Sequence, residues 1–540
     1  MVKKTLKYEP ILFSLFSGVI TSWLIKGKIT SLLLSGKNFD TSSDLFQIWM
    51  LILLFVVTSV FFLFIMVLFG NCFPQKSNLI FRNIKPTKIN SQKPSNMIDY
   101  PKGALILYTS ILMVVWVIYL LALWPGGMSP DSINQWNQMI TFKFDEWHPV
   151  FHTLTNWLIT RFWLSPAAVA LVQIFALSLT MAWGLVEQRR LGAPRWLPWV
   201  VITLIIMIPT IGLFVIVLWK DVFFSISVVA LTILIFKITM SQGEWIQKRA
   251  SWVYLSIVSL LVALYRYNGV LVAFGTLFCL LIVYRQSWKR ILLVLIITLL
   301  LFVGIRGPFY YLLGVGTSGY NPGVEMAVLQ VIARYTNSNT YFSPEEQSLY
   351  LKMIPEKKWS YDCYSADYNS SGNLNWGNLF ENKLELVKLT AKLIYRNPGV
   401  FVDHILCNSS FLYQITQPPG SYYERLMGFI IPNELGLSSE SKLPGVKNAI
   451  DSWVGESIKS YNWLFWRVPI WNYLFLAGIL VFWARSKNWK ITLIAVPILL
   501  NMLPLAILNL VQNFRYVFSS LLVSVLMSGY LISTDYHENR

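Results

Sequence analysis

Of 540 residues, 55% are hydrophobic and only 13% charged, with a mean hydropathy of +0.54, which excludes a water-soluble globular enzyme and points to a polytopic membrane protein. The formal charge of +18 would suit a nucleic-acid binder, but the basic residues lie in short segments between apolar runs, where they set topology. No nucleic-acid partner is expected. The cysteines Cys72, Cys279, Cys363 and Cys407 lack metal-ligand spacing, and Cys363 and Cys407 can pair only if both face an oxidising compartment.

The first apolar run, 11–25, comes after a basic start without a small-residue cleavage site and reads as an uncleaved anchor. A second, 46–69, is long enough to span, since a bilayer core needs about 20 apolar residues. Residues 71–102 carry Lys76, Arg82, Lys85, Lys88, Lys93 and Lys102, so the positive-inside rule puts them in the cytoplasm. Residues 1–103 thus form an N-terminal two-helix membrane addition.

The span 104–124 then runs outward, and 167–186 returns to the basic loop at Arg189 and Arg190. Both hold only if 125–165 stays outside, which predicts two helices lying on the membrane, 131–142 and 149–163. Val150, Leu154, Trp157 and Leu158 fall on one face of the second. Span 196–217 runs outward, 219–221 turns outside, and 222–238 returns. The stretch 252–284 is too long for one upright span and divides at Arg266-Tyr267-Asn268-Gly269, with that break outside. Span 291–305 goes outward again and completes a core of 104–306.

Residues 307–462 turn polar and are expected to form an extracytoplasmic segment. Its apolar patch 400–415 holds Asp403, His404, Asn408 and Gln414, which favours a packed or surface-lying helix over a span. Glu325, Arg334, Asp362 and Asp367 read as solvated surface, and the Asn369 and Asn408 sequons as accidental. The C-terminal part, 463–540, adds spans 469–483, 491–510 and 514–532. The total expected is about 12 spans in an all-α polytopic membrane protein, with both termini cytoplasmic.

This topology, drawn from basic loops, gathers Asp131, Glu146, His148, Lys220, Asp221, Arg266 and Arg515 on one outer face. Their order resembles the GT-C superfamily of membrane glycosyltransferases, in its bacterial type dependent on polyprenyl-phosphate sugars. The resemblance rests on Ser129-Pro130-Asp131-Ser132 after an outward span, His148-Pro149, Trp219-Lys220-Asp221, Arg266-Tyr267-Asn268-Gly269 and Arg515-Tyr516. Two surface helices in the first large outer loop and a late outer segment add to it. It implies a lipid-linked sugar donor, a glycan, lipid or protein acceptor, and a site on the extracytoplasmic face of the cell membrane. Many relatives carry a second acid directly after the loop aspartate. Here Ser132 takes that place, and Asp145-Glu146 comes later, which leaves open both the metal and the choice of carboxylate.

On this resemblance Asp131 is the general base for an acceptor hydroxyl. By local pattern alone it is an N-cap for the next helix. Arg266 and Arg515, with Lys220 third, would grip the leaving lipid phosphate, or else snorkel to head groups. Asp221 would neutralise Lys220. His148 and His152, four apart, would bind sugar or phosphate, or hold a divalent cation with Glu146; by local pattern alone His148 marks a helix start before Pro149 and His152 makes a local hydrogen bond, and no cofactor is otherwise called for. Gln135 would contact the acceptor or else only solvate its helix, and Asn268 and Tyr516 belong to the substrate-binding motifs. A transporter or flippase of lipid-linked sugars, and a membrane glycan polymerase or ligase, are the alternatives.

Overall fold

The computed structural model describes residues 103–248, 250–316, 323–355, 358–366, 374–421 and 428–534. The expected spans 11–25 and 46–69, the basic segment through Lys102, Asp367, the Asn369 sequon and both chain ends lie outside these residues.

The described chain is predominantly helical. Its principal helices are α1 (Ala104–Ala122), α2 (Pro130–Thr141), α3 (Val150–Thr160), α4 (Pro166–Arg190), α5 (Leu197–Met207), α6 (Pro209–Val215), α7 (Lys220–Met240), α8 (Ser251–Tyr265), α9 (Gly269–Val283) and α10 (Trp288–Gly304). After these come α11 (Gly323–Thr336), α12 (Lys383–Arg396), α13 (Pro398–Asn408), α14 (Pro444–Ser460), α15 (Pro469–Ser486), α16 (Val496–Leu508) and α17 (Phe518–Ser533). Each of the ten expected spans within the described residues coincides with a helix or a helix pair.

Six of the described helices are long and apolar enough to cross a membrane, or seven when α5 and α6 count as one span. Pro209 starts α6 and bends that pair by 72°. Exposed Leu292, Leu293, Ile296, Leu299 and Leu300 on α10, and Leu499, Leu503 and Ile507 on α16, leave apolar surface that lipid would cover. By length and composition this is a multi-pass, all-α membrane protein. Helices α8 and α9 have 15 residues each, about 23 Å of rise, less than a hydrocarbon core. At their junction the Arg266 side chain is buried between Phe224 of α7 and Tyr516.

The two ends of the bundle differ in chemistry. At one end the basic turns meet: Lys237 pairs with Glu187 at 2.9 Å, Tyr530 donates to the Leu191 carbonyl, Arg290 to that of Ile246, and Arg485 to that of Ile532. The opposite end gathers the turn before α2, the start of α7, the α8–α9 junction and the turn before α17. The two-ended arrangement expected from alternating basic loops is therefore present. Helices α2 and α3, 12 and 11 residues long, are too short to span and pack against each other at this second end.

The described residues of the segment 307–462 divide between two cores. Those within 326–354 and 374–393, with Ala366, build a separate apolar core around Ile332, Tyr335, Met353, Leu379 and Leu393. Residues 430–466 instead join the main core, where Ile450 of α14, Phe465 and Trp466 are buried. The chain before α14 also runs beside the end of α1, with Glu440 N–H donating to the Trp124 carbonyl and Lys442 N–H to that of Leu121. The patch 400–415 is α13 and then a four-residue helix, packed and too short to span.

Candidate functional site

A short extended segment aims the first functional residue. Gly127 donates to the Ile216 carbonyl at 3.1 Å, and Leu218 donates back to Gly127 at 3.0 Å. On the other side Met128 N–H donates to Phe429, and the Met128 carbonyl accepts from Ile431, each at 3.2 Å. Gly126 makes this possible: its φ is +108°, and a Cβ there would sit 2.6 Å from the Ile216 carbonyl oxygen. The segment delivers Ser129 as the residue before α2, with Pro130 at the first helical position. Trp219 Nε1 donates to Ser129 Oγ at 2.7 Å, and Ser132 Oγ donates to the Leu218 carbonyl at 2.8 Å, locking α2 to the start of α7.

Asp131 therefore lies inside the first turn of α2, whose N-cap is Ser129. It faces cations. Arg515 Nη1 lies 2.9 Å from Oδ2 and Lys220 Nζ 3.8 Å from the same oxygen, while His148 Nε2 is 3.6 Å from Oδ1. Lys220 Nζ also donates to His148 Nδ1 at 3.2 Å. Because an ammonium can only donate, Nδ1 is the acceptor and the ring proton sits on Nε2, toward Asp131. Burial alone would raise the Asp131 pKa, but His148, Lys220 and Arg515 outweigh it and hold the carboxyl far below the usual range. Burial first, and Lys220 next, push His148 below the ordinary histidine value against the opposing pull of Asp131. The imidazole is neutral at pH 7.

Aromatic rings frame the cations. The Arg515 guanidinium lies 5.1 Å from the Trp219 and Tyr516 ring centroids, and Nη2 is 3.3 Å from the Tyr516 hydroxyl. Trp219 is held in turn by Phe214, which stacks on Phe518 at the start of α17. Compared with family models, curated proteins and solved structures, the chain has no match.

Beneath this trio lies a second pair. Arg266 Nη1 is 3.1 Å from Asp221 Oδ1, the two side chains being 11% and 1% exposed, and the guanidinium is sandwiched between Tyr516 at 4.8 Å and Phe224 at 5.3 Å. The expectation that Asp221 neutralises Lys220 is thus corrected. Consecutive residues on a helix point about 100° apart, so Lys220 turns to Asp131 while Asp221 turns to Arg266. Asn268 braces the same junction, donating to Asn501 Oδ1 at 2.8 Å; Asn501 donates to the Tyr516 carbonyl at 3.0 Å.

The remaining candidates serve the scaffold or stand apart. Gln135 is buried and donates to Thr153 Oγ1 at 3.1 Å, while its Oε1 faces His152 Nδ1 at 3.1 Å, so both residues tie α2 to α3. Complete burial drives His152 down to about 3, which keeps it neutral. Glu146 pairs with Arg306 at 2.9 Å, and the Tyr267 hydroxyl donates to the Glu146 carbonyl. The metal set of His148, His152 and Glu146 does not form. Helix α3 starts only at Val150, so the two histidines do not share a helix face, and no three His, Cys, Asp or Glu converge among the described residues.

Sequence reasoning missed Arg306, and it quoted Ser129 only as part of the Ser129-Pro130-Asp131-Ser132 element, without its bond to Trp219. The signal for Arg306 was a basic residue closing the apolar run 291–305, beside Gly307 and Pro308, where the helix passes through a π turn. The motif marked Ser129 by position, but the partner of its hydroxyl depends on how the segment before α2 meets the start of α7.

Proposed function

We propose that the chain is an integral membrane glycosyltransferase of GT-C type, transferring a sugar from a polyprenyl-phosphate-linked donor to an acceptor on the extracytoplasmic face. The observation that carries this reading is a single carboxylate, Asp131, held between Arg515 and Lys220 beside the Trp219 and Tyr516 rings at one end of a helix bundle. In such a transfer the bond from the anomeric carbon to the phosphate oxygen breaks, and one from that carbon to the acceptor oxygen forms. The leaving lipid phosphate gains negative charge, which Arg515 and Lys220 would balance. The acceptor hydroxyl loses its proton to Asp131.

While both cations rest on Asp131 it is a weak base. A lipid phosphate drawing Arg515 and Lys220 to itself would release the carboxylate and raise its basicity. Arg266, committed to Asp221, would fix the floor of the site and hold Tyr516 rather than bind phosphate. Two observations favour the extracytoplasmic face. The basic turns lie at the opposite end, and the Cys363–Cys407 disulfide, on the segment that grips the Arg515 loop, suits an oxidising compartment. The full membrane topology of the proposal is 12 spans with both termini cytoplasmic.

The test is sugar transfer from purified polyprenyl-phosphate sugars by the reconstituted chain, with Asp131→Asn as the comparison at equal folding. Transfer lost in the variant supports the reading. Donor carried across the bilayer without transfer would replace it with a flippase.

A further inference from the structure

The loop that carries Arg515 is gripped from outside the membrane bundle. Residues 509–513, between α16 and the turn at Arg515, lie between two strips of the polar segment. One strip is 364–366: Ala366 N–H donates to the Leu510 carbonyl at 2.7 Å, and Gln512 N–H donates to the Tyr364 carbonyl at 2.9 Å. The other is 407–410: Gln512 Nε2 donates to the carbonyls of Cys407 at 3.0 Å and Asn408 at 2.9 Å, with Ser410 Oγ also within 2.9 Å. Asn408 Nδ2 donates to the Asn509 carbonyl at 2.9 Å, and Asn509 Nδ2 answers to Asn408 Oδ1 at 3.2 Å. Asn408, Asn509, Gln512 and Asn513 are all buried. Buried amides paired in this way hold one backbone geometry, because alternatives leave polar groups unpaired. Asn513 passes the constraint on by accepting from the Arg515 N–H at 3.0 Å.

The two strips are joined directly behind the loop by the Cys363–Cys407 disulfide, with Cα atoms 5.8 Å apart. Cys363 adjoins Tyr364, whose carbonyl holds Gln512, and Cys407 itself supplies a carbonyl to the same side chain. A cross-link there fixes the separation of the strips, so its natural effect is on the loop between them.

We infer that residues 363–366 and 407–410 form a disulfide-closed clamp whose function is to position Arg515. Cys363, Cys407 and Gln512 are positioning residues that act through that guanidinium. The functional consequence rests on the phosphate role proposed for Arg515, whereas the clamp itself does not. Reduction opens the clamp and weakens the hold of the site on a phosphate without altering any group that touches it. A protein of this kind gains full affinity only after oxidation.

The experiment uses the full chain in nanodiscs, as wild type, Cys363→Ser/Cys407→Ser and Gln512→Ala, each also in an Arg515→Ala background. Hydrogen–deuterium exchange at the Ala366 and Gln512 amides reads the clamp, and affinity for polyprenyl phosphate reads its effect on Arg515. Expected are faster exchange at both amides in the double-serine variant and faster exchange at Gln512 in Gln512→Ala. Affinity should fall about tenfold in the Arg515 background and under about twofold in the Arg515→Ala background, as coupled residues require. Unchanged exchange, or equal losses in both backgrounds, would overturn the inference and reduce the disulfide to a fold staple. If the wild type binds no polyprenyl phosphate, the glycosyltransferase reading fails on its own, and the exchange data alone decide the clamp. Should the double-serine variant not fold, Gln512→Ala, with its disulfide intact, decides on the same readouts.

Discussion

Neutralising Asp131 should move binding and turnover in opposite directions. In Asp131→Asn, Arg515 and Lys220 lose the charge they now face at 2.9 and 3.8 Å. At an effective dielectric near 20 the gross Coulomb energies are about 6 and 4 kcal/mol, and lost hydration offsets most of both. The remainder is the net worth of hydrogen bonds to a charged partner, about 1.5–3 kcal/mol, which a bound phosphate no longer has to displace. A polyprenyl phosphate should therefore bind roughly 10- to 100-fold more tightly to the variant. Transfer, deprived of its base, should fall by about 10²–10⁴. Binding is read by titrating the lipid phosphate into nanodisc-embedded protein, and transfer by product release from a labelled donor. Weaker binding in the variant would refute the reasoning, because it would mean that Asp131 helps to hold the phosphate instead of competing for its cations.

The geometry sets three further outcomes. Asp221→Ala leaves Arg266 buried without its counterion and should destabilise the fold by about 3–5 kcal/mol, whereas Asp221→Leu with Arg266→Met should recover most of the loss in a denaturation series. Gly126→Ala meets both a left-handed backbone and the Ile216 carbonyl; a displacement of Asp131 by about 1 Å should cost on the order of 100-fold in transfer. The pH profile should report His148, which must be neutral to accept from Lys220 and sits below the ordinary histidine value. Transfer should then be flat near pH 7 and decline only in acid, as the ring protonates and repels Lys220 and Arg515. His148→Gln, which can accept and donate without titrating, should remove the acid decline; an unchanged profile would reassign it.

The six or seven membrane-capable helices were legible as long apolar runs, most of them bounded by lysines or arginines, and the break at Arg266–Gly269 showed as a polar interruption. Pro209 could have announced the bend between α5 and α6, but proline is tolerated within membrane helices, so the run 196–217 still read as one span. Polar composition concealed the division of 307–462. Ile450, Phe465 and Trp466 belong to the main core, yet they are spread among Asp451, Glu456 and Lys459, and only tertiary packing distinguishes them from a solvated helix. Alternation of basic loops brought Asp131, Lys220, Arg266 and Arg515 to one end, but partnership within that end depends on helix phase. A rotation of about 100° separates Lys220 from Asp221 and decides which carboxylate each cation meets. Gln135 and His152 were legible as polar residues near Asp131 but not as each other's partners, because that pairing depends on how α2 crosses α3.

The two layers of charge at this end have different physical characters, and the difference bears on the order of events. Arg266 and Asp221 are buried, paired and stacked between rings, so neither can be released without a large cost, and both belong to the frame. Asp131 is more open, at 28% side-chain exposure, and its partners approach from different segments, so an entering anion can replace it without dismantling the core. Three cations thus face two carboxylates, with the surplus positive charge on the accessible layer. An anion compensates that surplus, whereas a neutral acceptor hydroxyl does not. In the proposed chemistry the phosphate-bearing donor therefore enters first, and only then is Asp131 free to take a proton. An acceptor or a water arriving before the donor would meet a carboxylate still occupied by Arg515 and Lys220, which protects the site from activating a hydroxyl when no sugar is in place.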